Sequence, residues 1–110
     1  MQPTFDEHGY PTENTLALIR KWDFSDYEGL ARFVCAAWNS DYGLFSFMDG
    51  KLTLVTGGWS GNEEVLDALN DNQIWWFSYW QSSTRGGRYE FKGEITRDSQ
   101  QKEPIDANGS

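Results

Sequence analysis

The residues of this chain best suited to chemistry are Trp59, Ser60, Gly61 and Asn62 in TGGWSGNEEVL, together with Arg85 and Arg88 in TRGGR. A glycine-rich run that opens a helix presents unpaired backbone N–H groups and the positive end of the helix dipole. Gly57 and Gly58 let a ligand approach that backbone closely. Two arginines closing over it would supply planar, forked donors. The ligand class this combination suits is a phosphate, a nucleotide or a carboxylate. Trp59 could add a flat apolar wall. The same residues also serve a plain corner. Ser60 and Glu63 have the capping-box spacing, so Ser60 reads as the N-cap and Glu63 as the group that occupies the free N–H donors. Gly86-Gly87 suits a hairpin turn, and the arginines could pair with Glu63, Glu64 or Glu90. Both readings stand at this level. The run is not a phosphate-binding Walker loop, because no Gly-Lys-Ser/Thr ends it. It is not a nucleophile elbow either, because Ser60 lacks the Gly-x-Ser-x-Gly frame.

Other chemistry has fewer candidates. His8 and Cys35 are the only residues of their types. A hydroxyl or thiol nucleophile would therefore need His8, which lies in the N-terminal arm. One His and one Cys give no clustered metal-ligand spacing. Glu63, Glu64 and Asp67 read as a solvated helix face. No catalytic residue, metal site or cofactor is assigned, and an enzyme is not expected. The 110 residues carry a net charge of −8. That balance argues against nonspecific nucleic-acid binding, which rests on clustered Lys and Arg. It suits a basic protein surface, or simple solubility. Cys35 alone forms no internal disulfide, so a secreted scaffold is not indicated. No apolar run approaches the roughly 18 residues of a membrane span, and the first residues lack signal-peptide character. The expected location is cytoplasmic.

Positioning these residues falls to an α+β domain over 1–95, with an extended arm at 1–11 and a disordered tail at 96–110. PTENTLALIRKW reads as a helix capped by Thr12, with Leu16, Ile19 and Trp22 on one face. DFSDYEGLARFVCAAW reads as a second, with Ser25 and Glu28 as its capping box. Leu30, Phe33, Val34, Ala37 and Trp38 follow the helical template. Asp49-Gly50 between YGLFSFM and KLTLVT is a hairpin signal. Val65, Leu66 and Leu69 form the stripe of a third helix ending near Asn70. QIWWFSYWQSS reads as a central strand because its residues are aromatic and β-prone. YEFKGEI pairs back on it. As a strand, the aromatic run would send Ile74, Trp76, Ser78 and Trp80 to one side and Trp75, Phe77 and Tyr79 to the other. One set would face the helices, and the other would be covered or form a contact surface. The order is α-α-β-β-α-β-β, with one four-stranded sheet packed against helices.

This order has a geometric consequence. If the third helix crosses over the sheet, the second and third strands run in the same direction. The TRGGR turn then lies at the end where GGWSGN begins, and the two glycine-rich loops converge.

Three segments, GYPTENTLALIRKWD, TGGWSGNEEVLDAL and WQSSTRGGRYEFK, resemble a family of small, largely uncharacterised proteins found in bacteria and on phage and prophage genomes. The resemblance covers roughly Phe5 to Lys92 and brings no catalytic residues with it. It implies a bacterial or phage context in the host cytoplasm. A small acidic protein of that kind is expected to be a non-enzymatic binder of a host protein, for example an inhibitor of a defence system. The alternative expectation is a binder of a small anionic ligand at Gly57–Asn62 with Arg85 and Arg88.

Overall fold

Thr12 starts the first helix as its neighbours require. Its hydroxyl accepts from the Thr15 N–H at 3.3 Å, and Glu13 occupies the first turn of α1 (Glu13–Lys21). The structure is a computed structural model that describes residues 2–94, so the tail read at 96–110 lies outside the described residues. Ile19 is fully buried, and Arg20 on the outside bridges to Glu13 and Asp71. The second helix, α2 (Tyr27–Ala37), is capped by Asp26 and not by the expected Ser25. The Asp26 carboxylate accepts from the Gly29 N–H at 3.0 Å, while the Ser25 hydroxyl is drawn to Asp23 at 2.7 Å. Glu28, the other half of the expected box, pairs with Arg32 one turn on.

The hairpin forms where Asp49-Gly50 predicts it. β1 (Leu44–Met48) and β2 (Lys51–Val55) are joined by two residues with φ of 54° and 80°. Positive φ at both is the type I′ turn, whose twist matches that of the flanking strands. In β2, Leu52 and Leu54 are fully buried while Lys51 is exposed and Thr53 and Val55 are half-buried, as the period of two requires.

The largest departure follows α3 (Ser60–Asp71). The residues expected to form one long central strand instead make a helix, α4 (Gln73–Tyr79), and a short strand, β3 (Trp80–Thr84). Asn72 joins the two helices. Its N–H closes the last turn of α3 on Ala68 and Leu69, and its carbonyl accepts from the Trp76 N–H to open α4. Its side-chain amide donates to the carbonyls of Ile19 and Trp22, both at 3.0 Å, tying the junction to the end of α1. As a helix, the run sets Trp75 and Tyr79 four residues apart on one face. Both pack on Tyr27, with centroids 5.5 and 4.5 Å away. The alternation expected of a strand is thus replaced by helical spacing, in which Trp75 is fully buried and Phe77 is 82% exposed.

β4 (Arg88–Lys92) completes an antiparallel sheet of order β1-β2-β4-β3. β3 is an edge strand, and β2 and β4 are central. Leu52, Leu54 and Phe91 point into a core shared with Leu30 and Val34 of α2, Val65 and Leu69 of α3, and Trp75 of α4. The α+β class and the single four-stranded sheet packed against helices therefore hold, with one more helix than expected.

The N-terminal segment is not an extended arm. It folds back on itself: the Asp6 N–H donates to the Tyr10 carbonyl at 2.8 Å, and Phe5 bridges to Pro11. The Asp6 carboxylate accepts from the N–H groups of His8 and Tyr10, which stabilises the turn. The Thr4 N–H then anchors the segment to Thr15 at 2.8 Å.

Candidate functional site

β2 and β3 are both antiparallel to β4, so they run in the same direction and the two glycine loops converge. The contact is direct. The Thr56 N–H donates to the Gly87 carbonyl at 3.0 Å. Gly87 has φ +84°, and a Cβ there would collide with the Thr56 hydroxyl. That hydroxyl also accepts from the Gly58 N–H at 3.2 Å. Gly57, at φ +67°, passes so close to the Tyr42 carbonyl that a Cβ could not fit. Here the backbone needs glycine for both its torsion and its proximity.

The side chains at this corner are engaged within the chain, although Ser60 stays exposed and Trp59 is half-buried. Trp59, and not Ser60, is the N-cap of α3, with extended torsions and no side-chain capping bond. Its carbonyl accepts from the Glu63 N–H at 3.1 Å. Ser60 is therefore one residue too late to cap, and its hydroxyl bonds the Tyr10 hydroxyl at 2.8 Å. The Trp59 indole lies between Tyr10 and Tyr42, with centroids 4.8 and 4.7 Å away, and is stacked on Tyr42. It also covers Gly61, where a Cβ would strike the indole ring. Asn62 is fully buried. Its Oδ1 accepts from the Asn39 N–H at 2.9 Å, and its Nδ2 donates to the carbonyls of Asn39 and Thr56 at 3.1 and 3.3 Å. Asn62 thus ties the loop after α2 to the first turn of α3.

The arginines divide. Arg88, in β4, forks onto Glu90 through Nε at 3.0 Å and Nη2 at 2.9 Å. Lys51 approaches the same carboxylate at 3.4 Å. The Arg88 hydrogen bond, helped by Lys51, holds the Glu90 carboxyl below its ordinary range. Arg85 is exposed in the β3–β4 turn. Of the six residues, the structure brings Trp59, Ser60, Gly61 and Asn62 into one corner and lays the Arg85 turn beside it. Arg88 is engaged along its own strand.

The remaining reactive groups sit apart. His8 is exposed beside Glu7 at 3.3 Å. Cys35 is half-buried under β1, and burial pushes its thiol up to about 11, so it stays protonated at neutral pH. Among the described residues no group of three or more His, Cys, Asp or Glu is placed to hold a metal ion. No helix of the described residues is long and apolar enough to cross a membrane.

Residues that local spacing did not single out complete this corner: Tyr10, Tyr42 and Asn39, which only the folded topology brings to Trp59 and Asn62. A second surface was missed with α4. Ile74 and Phe77 are three residues apart on the helix, and Trp80 follows at the same spacing as its C-cap. They are 58%, 82% and 45% exposed. The i, i+3 spacing was the available signal, had the run been read as a helix.

Fold and site together define an α+β domain with an internally braced glycine corner and an exposed apolar stripe. The chain matches no family model, no curated protein and no solved structure among those compared.

Proposed function

We propose that this chain is a small non-enzymatic binding protein of phage or prophage type that occupies the surface of a bacterial host protein in the cytoplasm. The observation that carries the reading is the α4 stripe. Ile74, Phe77 and Trp80 expose three large apolar side chains at i, i+3 spacing, and Phe77, at 82%, is the most exposed large apolar side chain among the described residues. Contiguous exposed apolar side chains rimmed by polar ones mark contact surfaces, and aromatics are enriched at their centres. The excess of 17 acidic over 9 basic side chains suits a basic partner. The motif resemblance supports the bacterial setting and the idea of an inhibitor.

Affinity capture from bacterial lysate tests this, comparing the wild type with Phe77→Asp. Phe77 is so exposed that the substitution should leave the thermal midpoint unchanged. The wild type should repeatedly retain a protein that the variant loses. Equal recovery on both, or no retained protein, removes the reading.

A second reading draws on one observation, the seam between Thr56 and Gly87 that sets the Arg85 turn beside the α3 corner. There a small anion would be held by backbone N–H groups and Arg85. Thermal shifts with phosphate, nucleotides and carboxylates test it, since a specific ligand stabilises by mass action. No shift at millimolar anion removes it.

A further inference from the structure

The two edges of the sheet are unequal. Edge strands invite pairing unless a charge, a proline, a bulge or a covering element protects them. β3 has such protection, because its register with β4 shifts between Trp80 and Ser82. β1 is different. Its register with β2 runs unbroken from Leu44–Val55 to Met48–Lys51, and its sequence LFSFM has no charge and no proline. Leu44, Phe45 and Met48 are 67%, 42% and 70% exposed. Among the described residues no strand pairs with its outer side.

Hydrogen bonds join Thr56 to Gly87 and Gly93 to Gly50, so the even-numbered residues from 50 to 56 turn their N–H and C=O groups toward β4. Residues 51, 53 and 55 therefore turn theirs toward β1, where they meet Met48, Ser46 and Leu44. The N–H and C=O groups of Phe45 and Phe47 are left pointing outward from the sheet.

We infer that β1 pairs antiparallel with β1 of a second copy of this chain about a two-fold axis at Ser46, joining two four-stranded sheets into one of eight strands. The strand is self-complementary about that residue. The axis sets Phe45 opposite Phe47 of the second copy as a hydrogen-bonded pair, twice over, which uses all the outward groups of both residues. On the outer face Leu44 meets Met48, again twice. On the inner face an open groove of about 270 Å³ runs between α2 and β1, lined by Arg32, Cys35, Phe45 and Phe47. The phenylalanines of the second copy enter its mouth. This uncharged edge is where two chains of charge −8 can meet with least repulsion. Two five-residue edges bury an area at the low end of specific interfaces, below about 1,200 Å² in all. The dimer therefore forms with rising concentration, and salt favours it by screening the net charge.

Sedimentation equilibrium of the full chain up to millimolar concentration tests this independently of any host partner, because it uses purified protein and a surface away from α4. The apparent mass should rise from 12.7 kDa toward twice that value, further at high salt. Ser46→Lys puts like charges at the axis but stands opposite Thr53 within one chain, so it should keep the fold and abolish the rise. Ser46–Ser46 is a non-hydrogen-bonded pair with Cα atoms about 4.5 Å apart, within the span of a disulfide. In a Cys35→Ala background, Ser46→Cys should therefore oxidise to a dimer at least tenfold faster than the exposed control Glu64→Cys. A wild type that keeps the one-copy mass overturns the inference. So does a folded Ser46→Lys variant that still dimerises, or equal oxidation of the two cysteine variants.

Discussion

Asn62 is the decisive test of what the GWSGN segment does, because a ligand-binding asparagine and an internal brace respond differently to the same substitutions. In Asn62→Ala three hydrogen bonds are lost. The carbonyls keep other partners: that of Asn39 still accepts from Tyr42 and Gly43, and that of Thr56 from Trp59. The Asn39 N–H is the group left stranded. A stranded buried donor costs about 1–3 kcal/mol and each of the other two bonds about 1 kcal/mol net, so the total is about 3–5 kcal/mol. Asn62→Asp is the sharper change because it keeps the shape. One oxygen still serves the Asn39 N–H, but the other now faces two carbonyls in a buried site. At pH 7 it should cost more than alanine. Burial among carbonyls raises the folded pKa of the new carboxyl above its unfolded value near 3.9. Its stabilising protonation is then complete below that value and is lost as pH rises through the folded pKa. The gap to wild type in urea midpoint should therefore shrink as pH falls from 7 to 4. An alanine variant within about 0.5 kcal/mol of wild type would refute the brace, since that is the range of ordinary surface changes. So would an aspartate gap that does not move with pH.

The other expectations are simpler. Ser60→Ala should change stability by no more than about 0.5 kcal/mol in urea, where a true N-cap would cost about 1 kcal/mol. Gly57→Ala should be far more damaging than Gly58→Ala, because both have positive φ but only Gly57 lies against a neighbouring carbonyl. Gly58→Ala should cost about 1 kcal/mol, the torsional penalty alone, as read from thermal midpoints. The Tyr27 hydroxyl donates to the Gly50 carbonyl at 2.7 Å, and burial raises its pKa well above the ordinary tyrosine value. Its contribution is thus complete below about pH 10 and is lost as pH rises further. Above that point wild-type stability should fall more steeply than that of Tyr27→Phe, by up to about 1.4 kcal/mol per pH unit.

Much of this architecture could be read before the coordinates, and the reason is locality. Asp49-Gly50, the Thr12 cap and the apolar stripes of α1, α2 and α3 are decided within a few residues, and each formed where expected. The convergence of the two glycine loops was also readable, because it follows from strand direction alone and survives the conversion of half a strand into α4. α4 itself was misread because β-propensity of Trp, Tyr and Phe reflects packing on a half-buried sheet, not a backbone preference. As a helix the run seals Trp75 in the core and packs both Trp75 and Tyr79 on Tyr27.

Trp59, Ser60, Gly61 and Asn62 do gather at one corner, but Asn62 spends its side chain inside the fold. Asn62 is among the anion-site candidates, yet it stands on the stripe Asn62, Val65, Leu66, Leu69, at i, i+3, i+4 and i+7. Asn72 extends that stripe by another three residues. Helical spacing therefore placed both asparagines inside, and a buried amide must find partners within the chain. Each does so on carbonyls at the end of another helix or loop that have a lone pair to spare, Asn62 on the loop after α2 and Asn72 on the end of α1. A polar residue on an apolar stripe is thus a statement about long-range contacts. It says that some other segment must bring backbone groups with spare hydrogen-bonding capacity to that point, even though spacing alone cannot say which segment.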